Sequence, residues 1–176
     1  QWEKYAKGTI SAWEMEAMCY YYHEHELANV DKEKYGFSNF FDLPEEPEID
    51  TIITIKGKQI PLFKIRRIMG TVLDKNKTKK TVTLLTTDGV VTVKIFGDVF
   101  THYDRQISEK GADGKKHVIE RSWFSRGNKI IVTGIRREDS FIAKKYSRTP
   151  YHLVELIENI NSDGSIEVRG ERAEVK

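Results

Sequence analysis

The sequence predicts a mainly β protein built around a closed barrel of five short strands, and three observations carry that prediction. Residues 65–73 are a run of large and β-branched apolar side chains with Gly70 near the middle. A glycine inside a strand weakens it unless the strand must bulge or bend there. Residues 81–86 and 90–96 are two further β-rich runs joined by Thr87-Asp88-Gly89, and a D-G step between such runs is a strong hairpin signal. Residues 129–137 and 141–145, linked by Glu138-Asp139-Ser140, supply a fourth and a fifth strand. A first strand that bends can serve both halves of a barrel, which is how a small sheet closes on itself.

This pattern is that of the five-stranded OB-fold barrel, here with an N-terminal helical segment before it and a C-terminal β-hairpin after it. Residues 1–50 read as helical segment and acidic linker, 51–146 as the barrel domain, and 147–176 as the hairpin extension. A helix is expected over 9–28, since Ser11 and Glu14 form a capping box ahead of an aromatic stripe through Trp13, Ala17, Tyr20, Tyr21 and Leu27. Residues 29–50 should be an irregular linker anchored by Tyr35, Phe37, Phe40 and Phe41, with Pro44-Glu45-Glu46-Pro47-Glu48 extended. Residues 51–55 are a short lead-in strand. After the third barrel strand, 98–108 should form a helix with Val99, Tyr103 and Ile107 on one face, plugging the barrel floor. Residues 109–127 are polar and glycine-bearing and read as a long loop, interrupted by Trp123-Phe124. The tail gives arms at 153–160 and 165–169 around Asn161-Ser162-Asp163-Gly164, a hairpin whose first arm also has helical character.

Composition narrows the function. The longest apolar runs fall well short of the roughly 18 residues a bilayer span requires, and no signal peptide is apparent. The single cysteine, Cys19, excludes an internal disulfide framework and suits a reducing, cytoplasmic setting. Opening at Gln1 without methionine is what an excised fragment would show. The net charge of +2 conceals an asymmetry: residues 56–146 carry 21 Lys/Arg against 9 Asp/Glu, while residues 1–55 carry 4 against 12. A basic middle between acidic ends is the footprint of a surface that meets a polyanion. His23-Glu24-His25-Glu26 lacks the spacing that puts two histidines on one helix face, so no metal is expected there. Neither paired carboxylates, an activated nucleophile nor a phosphate-cradling glycine loop is present, so the fragment itself should be non-catalytic and need no cofactor.

Strand alternation selects the candidate site. With Val82, Leu84, Val91, Val93 and Ile95 filling the barrel, Thr83, Thr92, Lys94 and Phe96 line its outer face. Hydroxyls, a lysine and an aromatic on a concave barrel face suit single-stranded nucleic acid. The loop over 74–80 brings Lys75, Lys77, Lys79 and Lys80 to one rim, and Arg136, Arg137, Lys144, Lys145 and Tyr146 flank the link between the last two strands. The cations would neutralise phosphates and the rings would stack bases.

The residues from Lys64-Ile65-Arg66-Arg67-Ile68-Met69-Gly70 through Val93-Lys94-Ile95-Phe96 resemble the OB domain of the bacterial DNA polymerase III alpha subunit, the replicative C-family polymerase. Residues 14–27 are similar to the family segment E-K-E-x-L-G-F-Y-L-S-G-H-P-L, with cysteine in place of a glycine and glutamate in place of the proline. Ile131-Val132-Thr133-Gly134-Ile135-Arg136-Arg137 is similar to the family's fourth strand. The resemblance implies a piece without the palm, whose aspartates bind the catalytic Mg²⁺ of the parent enzyme. It also implies single-stranded template, the remaining polymerase domains, the sliding clamp and other replisome subunits as partners. Gln59-Ile60-Pro61-Leu62-Phe63 is similar to the clamp-binding pentapeptide Q-L-x-L-F, which makes Gln59, Leu62 and Phe63 the clamp-contact candidates. The competing classes are a stand-alone OB module for protein or RNA and a structural spacer inside a larger enzyme.

Overall fold

The computed structural model describes residues 25–28 and 30–172. Apart from the helical turn α1 (His25–Ala28), the expected helix over 9–28, Cys19 and the family-like segment at 14–27 lie outside the described residues. So do the side chains of the His23-Glu24-His25-Glu26 run.

The barrel is closed by β3 (Arg66–Asn76), β4 (Thr81–Thr86), β5 (Gly89–Lys94), β8 (Lys129–Arg137) and β9 (Ser140–Ala143). Their order is β8-β3-β4-β5-β9, and β9 returns to pair with β8. The first barrel strand does what its glycine predicts. Residues 66–71 of β3 pair with β8, residues 71–76 pair with β4, and the change of partner falls beside Gly70. A Cβ at Gly70 would stand 2.9 Å from the Leu84 Cβ, so the two strands could not approach there with a larger residue. Gly134 holds the other pivot. A Cβ there would collide with the Ile142 carbonyl oxygen, on β9.

Inside the ring, Ile68, Val72, Val82, Leu84, Val91, Val93, Ile95, Ile130, Val132 and Phe141 form one buried cluster. Val82, Leu84, Val91, Val93 and Ile95 are the inward set expected of the alternation, and the other strands add the rest. The helix α3 (Gly97–Asp104) plugs the floor with Phe100 and Tyr103, and Trp123 and Phe124 join them there. A second, smaller cluster lies outside the ring, where Leu27, Val30 and Phe37 pack on Met69, Ile131 and Ile157. Both faces of β3 and β8 are therefore covered, which is why those strands read as near-continuous apolar runs.

The structure departs from the sequence reading in four places. Residues 109–127 are a loop only over 121–127: before that, β6 (Ile107–Lys110) and β7 (Lys116–Glu120) form a hairpin. Its turn carries Asp113-Gly114, with Gly114 at φ +78°, the same D-G chemistry that marked the β4–β5 turn. The floor helix stops at Asp104, so Ile107 packs from β6 instead of extending a helix face. The lead-in strand is half of a ribbon, β1 (Ile49–Ile55) with β2 (Lys58–Phe63), turned at Lys56-Gly57. Finally, β3 runs on to Asn76, so Lys75 is a strand residue and only Lys77–Lys80 make the turn. The tail resolves to strands, β10 (Val154–Ile160) and β11 (Ile166–Arg169), and β10 extends the barrel sheet along β8.

Residues between α2 (Lys32–Tyr35) and Glu48 follow the barrel's upper end with little regular structure, as the linker reading expects. Phe40 is buried, the Phe41 amide donates to Asp88, and the Glu138 amide donates to the Glu45 carbonyl.

Candidate nucleic-acid interface

The strand register brings an outward polar strip across the side of the barrel. Thr83 of β4 pairs with Thr92 of β5, and Thr92 pairs in parallel with Ser140 of β9. One step along, Thr81 pairs with Lys94 and Lys94 with Ile142. Lys94 is exposed, while the threonines are half-buried between neighbouring strands. Phe96, at the start of α3, is 70% exposed and therefore not a core residue.

The strip opens at its β9 edge into a groove of about 710 Å³ lined by Phe63, Lys94, Arg137, Ser140 and Ile142. Two cations address the Phe63 ring, with Arg137 5.6 Å and Lys144 5.8 Å from its centroid. Lys144 also lies 5.5 Å from the centroid of Tyr146, whose hydroxyl accepts a hydrogen bond from the Phe63 amide. Lys145 is exposed beside them. Four acidic residues, Glu45, Glu46, Glu138 and Asp139, line the same groove.

Arg136 does not belong to this surface. It is 9% exposed, and its guanidinium donates to the carbonyls of Phe40, Leu43 and Glu138 while covering the Phe40 ring at 4.4 Å. It fastens the linker to the barrel.

Three of the four lysines expected on one rim turn to the floor helix, and Lys79 stays out on the turn. Lys75 Nζ donates to Asp104 at 2.5 Å and Lys77 stands 3.9 Å from the same carboxylate, on the floor. Lys80, half-buried, lies 5.2 Å over the Phe100 ring, and Lys79 is exposed on the turn. Burial alone would raise the Asp104 carboxyl, but hydrogen bonds from Lys75 and Ser122 outweigh it and hold the group below the usual carboxylate range.

Gln59, Leu62 and Phe63 lie on β2, paired with Thr54, Thr51 and Ile49 of β1. The clamp-like pentapeptide is thus one arm of a ribbon in this structure.

Two arginines with no signal in the sequence hold the frame. Arg67 is buried between the rings of Phe37 and Tyr151 and pairs with Glu155 at 2.8 Å. Arg172 donates to the carbonyls of His102, Tyr103, Arg105 and Arg121 and to the Glu120 carboxylate, tying the C-terminal strands to the floor. Glu120 also accepts from the Trp123 indole at 2.8 Å. Nothing in the local sequence marks such residues, because their partners lie on elements far away along the chain.

Among the described residues, no group of three or more His, Cys, Asp or Glu side chains is placed to hold a metal ion, and no helix is long and apolar enough to cross a membrane. A barrel with cations and rings on one side has the parts for nucleic-acid contact, and comparison with known proteins gives those parts a setting. Over 99% of its length the chain is 44% identical to the "Probable DNA polymerase YorL" of Bacillus subtilis (strain 168). It is equally similar to the "DNA-directed DNA polymerase" of Bacillus phage SPbeta. The chain is related to a segment of a DNA polymerase. It spans 14% of the length of either relative. No family model and no solved structure matches it.

Proposed function

We propose that this chain is the single-stranded-template module of a replicative DNA polymerase of the DNA polymerase III alpha type. The observation that carries the reading is the side groove, where the hydroxyl strip and Lys94 lead to a Phe63 ring flanked by Arg137 and Lys144. Cations that track phosphates beside rings that stack bases are the two components of strand binding without sequence preference. The similarity to a polymerase segment supports template as the ligand over a free-standing role. In this reading the Mg²⁺-dependent chemistry belongs to the rest of a cytoplasmic parent enzyme. Its other domains, the sliding clamp and further replisome subunits are the protein partners. Clamp contact through Gln59, Leu62 and Phe63 would require β2 to leave β1.

The test is fluorescence anisotropy of the 176-residue chain with labelled oligo-dT across a salt series. Replacing Lys94, Arg137 and Lys144 by alanine should weaken binding and flatten the slope of log affinity against log salt by about 0.7 for each phosphate no longer neutralised. Unchanged affinity and slope would remove the side groove from consideration. Tighter binding to oligo-rU than to oligo-dT would favour an RNA module instead.

A further inference from the structure

We propose that the floor of the barrel is a second DNA surface, which grips the phosphate backbone of a duplex. A groove of about 440 Å³ runs there between the turn after β3 and the β6–β7 ribbon, lined by Lys75, Lys77, Arg105 and Arg121. It holds one carboxylate, Asp104, whose side chain is 10% exposed and already engaged by Lys75 and by the Ser122 hydroxyl at 2.8 Å. Lys77, 71% exposed, reaches that carboxylate only at 3.9 Å, and Arg105 and Arg121 are exposed. Four cations against one screened carboxylate leave a groove that only a multiply charged anion complements.

The occupant follows from what the groove lacks. None of the residues lining it is aromatic, because the rings of this region, Phe100, Tyr103, Trp123 and Phe124, are all buried in the core. A single strand bound in such a groove would find no aromatic ring to stack on, and ring stacking is the main source of base contact for single strands. A duplex turns its bases inward and offers one phosphate charge per roughly 1.7 Å of axis. The ribbon fits the same partner. Val118 lines the groove, the exposed lysines of the ribbon, Lys110, Lys115 and Lys116, outnumber its exposed carboxylates, Glu109 and Asp113, and a two-stranded ribbon is narrow enough to enter a major groove.

The experiment compares a short blunt duplex with oligo-dT, both against the 176-residue chain and its Lys77→Ala/Arg105→Ala/Arg121→Ala variant. The salt slope for duplex should flatten by about 0.9 for each phosphate that the variant leaves unneutralised, with oligo-dT affinity held within roughly twofold. The Lys94, Arg137 and Lys144 replacements should do the reverse, which separates this surface from the side groove. Absence of duplex binding by the parent chain, or an unaltered slope in the floor variant, would overturn the proposal. Equal weakening of duplex and oligo-dT would also overturn it, since the floor would then be part of a single-strand path. Thermal melting of the variant should match the parent because the three replaced side chains are exposed. If melting is lowered, Arg121→Glu alone repeats the test, and its duplex binding must still fall by more than its oligo-dT binding.

Discussion

The side of the barrel and its floor use the same basic residue types, yet they differ in what lies among the charges. On the side, Arg137 and Lys144 flank the Phe63 ring, and Glu45, Glu46, Glu138 and Asp139 line the same groove. On the floor, the rings have gone into the core, and of the four cations lining the groove Lys75 and Lys77 meet its one carboxylate, Asp104. In the proposed roles, the first surface offers a ring to a base and the second offers cations to phosphates. Local charge counts cannot separate the two, because the distinction lies in which aromatic residues the core has consumed.

Four substitutions probe the difference between the two surfaces. The largest effect should come from Leu84→Ala, since Leu84 is fully buried in the core under both surfaces. A loss of about 2–5 kcal/mol is expected in a denaturant titration, and a near-neutral result would mean the two surfaces do not share that core. Next is Gly134→Ala, where the new methyl meets the backbone of Ile142 and Ala143, not a flexible side chain. It should cost about 3 kcal/mol, the upper end of overpacking. Because it pries β9 from β8, it should impair oligo-dT binding while the β6–β7 ribbon keeps its hydrogen exchange protection.

Phe96→Ala sharpens the contrast. With 70% of the residue exposed, its removal should leave stability unchanged. It should weaken oligo-dT binding by about 1–3 kcal/mol if a base stacks there. The salt slope should not move, since stacking releases no counterions. An altered slope with unaltered affinity would contradict a stacking role. Asp104→Asn is the smallest, costing about 1 kcal/mol through weaker charge-assisted bonds to Lys75 and Ser122. The Asp104 carboxyl sits below its ordinary value when folded. Its contribution is therefore complete above about pH 4 and is lost as pH falls through that lower value. The variant and parent should converge in stability only in acid. By freeing Lys75, the substitution should also tighten duplex binding at the floor.

Much of the molecule was legible from residue order alone. Alternation along 81–86 and 90–95 places Val82, Leu84, Val91, Val93 and Ile95 inside, and the structure buries all five. Gly70 announces the bend in β3, and Asp88-Gly89 announces the turn between β4 and β5. The same turn rule was available at Asp113-Gly114, but the polar composition of that stretch concealed the β6–β7 hairpin. Strand patterning is local: successive side chains must point to opposite faces, so a short window suffices to read it.

What the sequence could not decide was where long cationic side chains end. Lys75, Lys77, Lys79 and Lys80 are neighbours in the chain, yet Asp104 draws two of them to the floor and Phe100 lies beneath a third. Arg136 and Arg137 are adjacent, but a strand turns them to opposite faces, one onto the linker's carbonyls and the other toward Phe63. The sequence by itself determined the barrel, because burying alternate apolar residues is a local pattern with one closed solution. Only the tertiary structure decided which charges remain available to a ligand. Their partners come from elements tens of residues away, and a guanidinium or ammonium group commits to whichever carboxylate, carbonyl or ring the fold brings within reach.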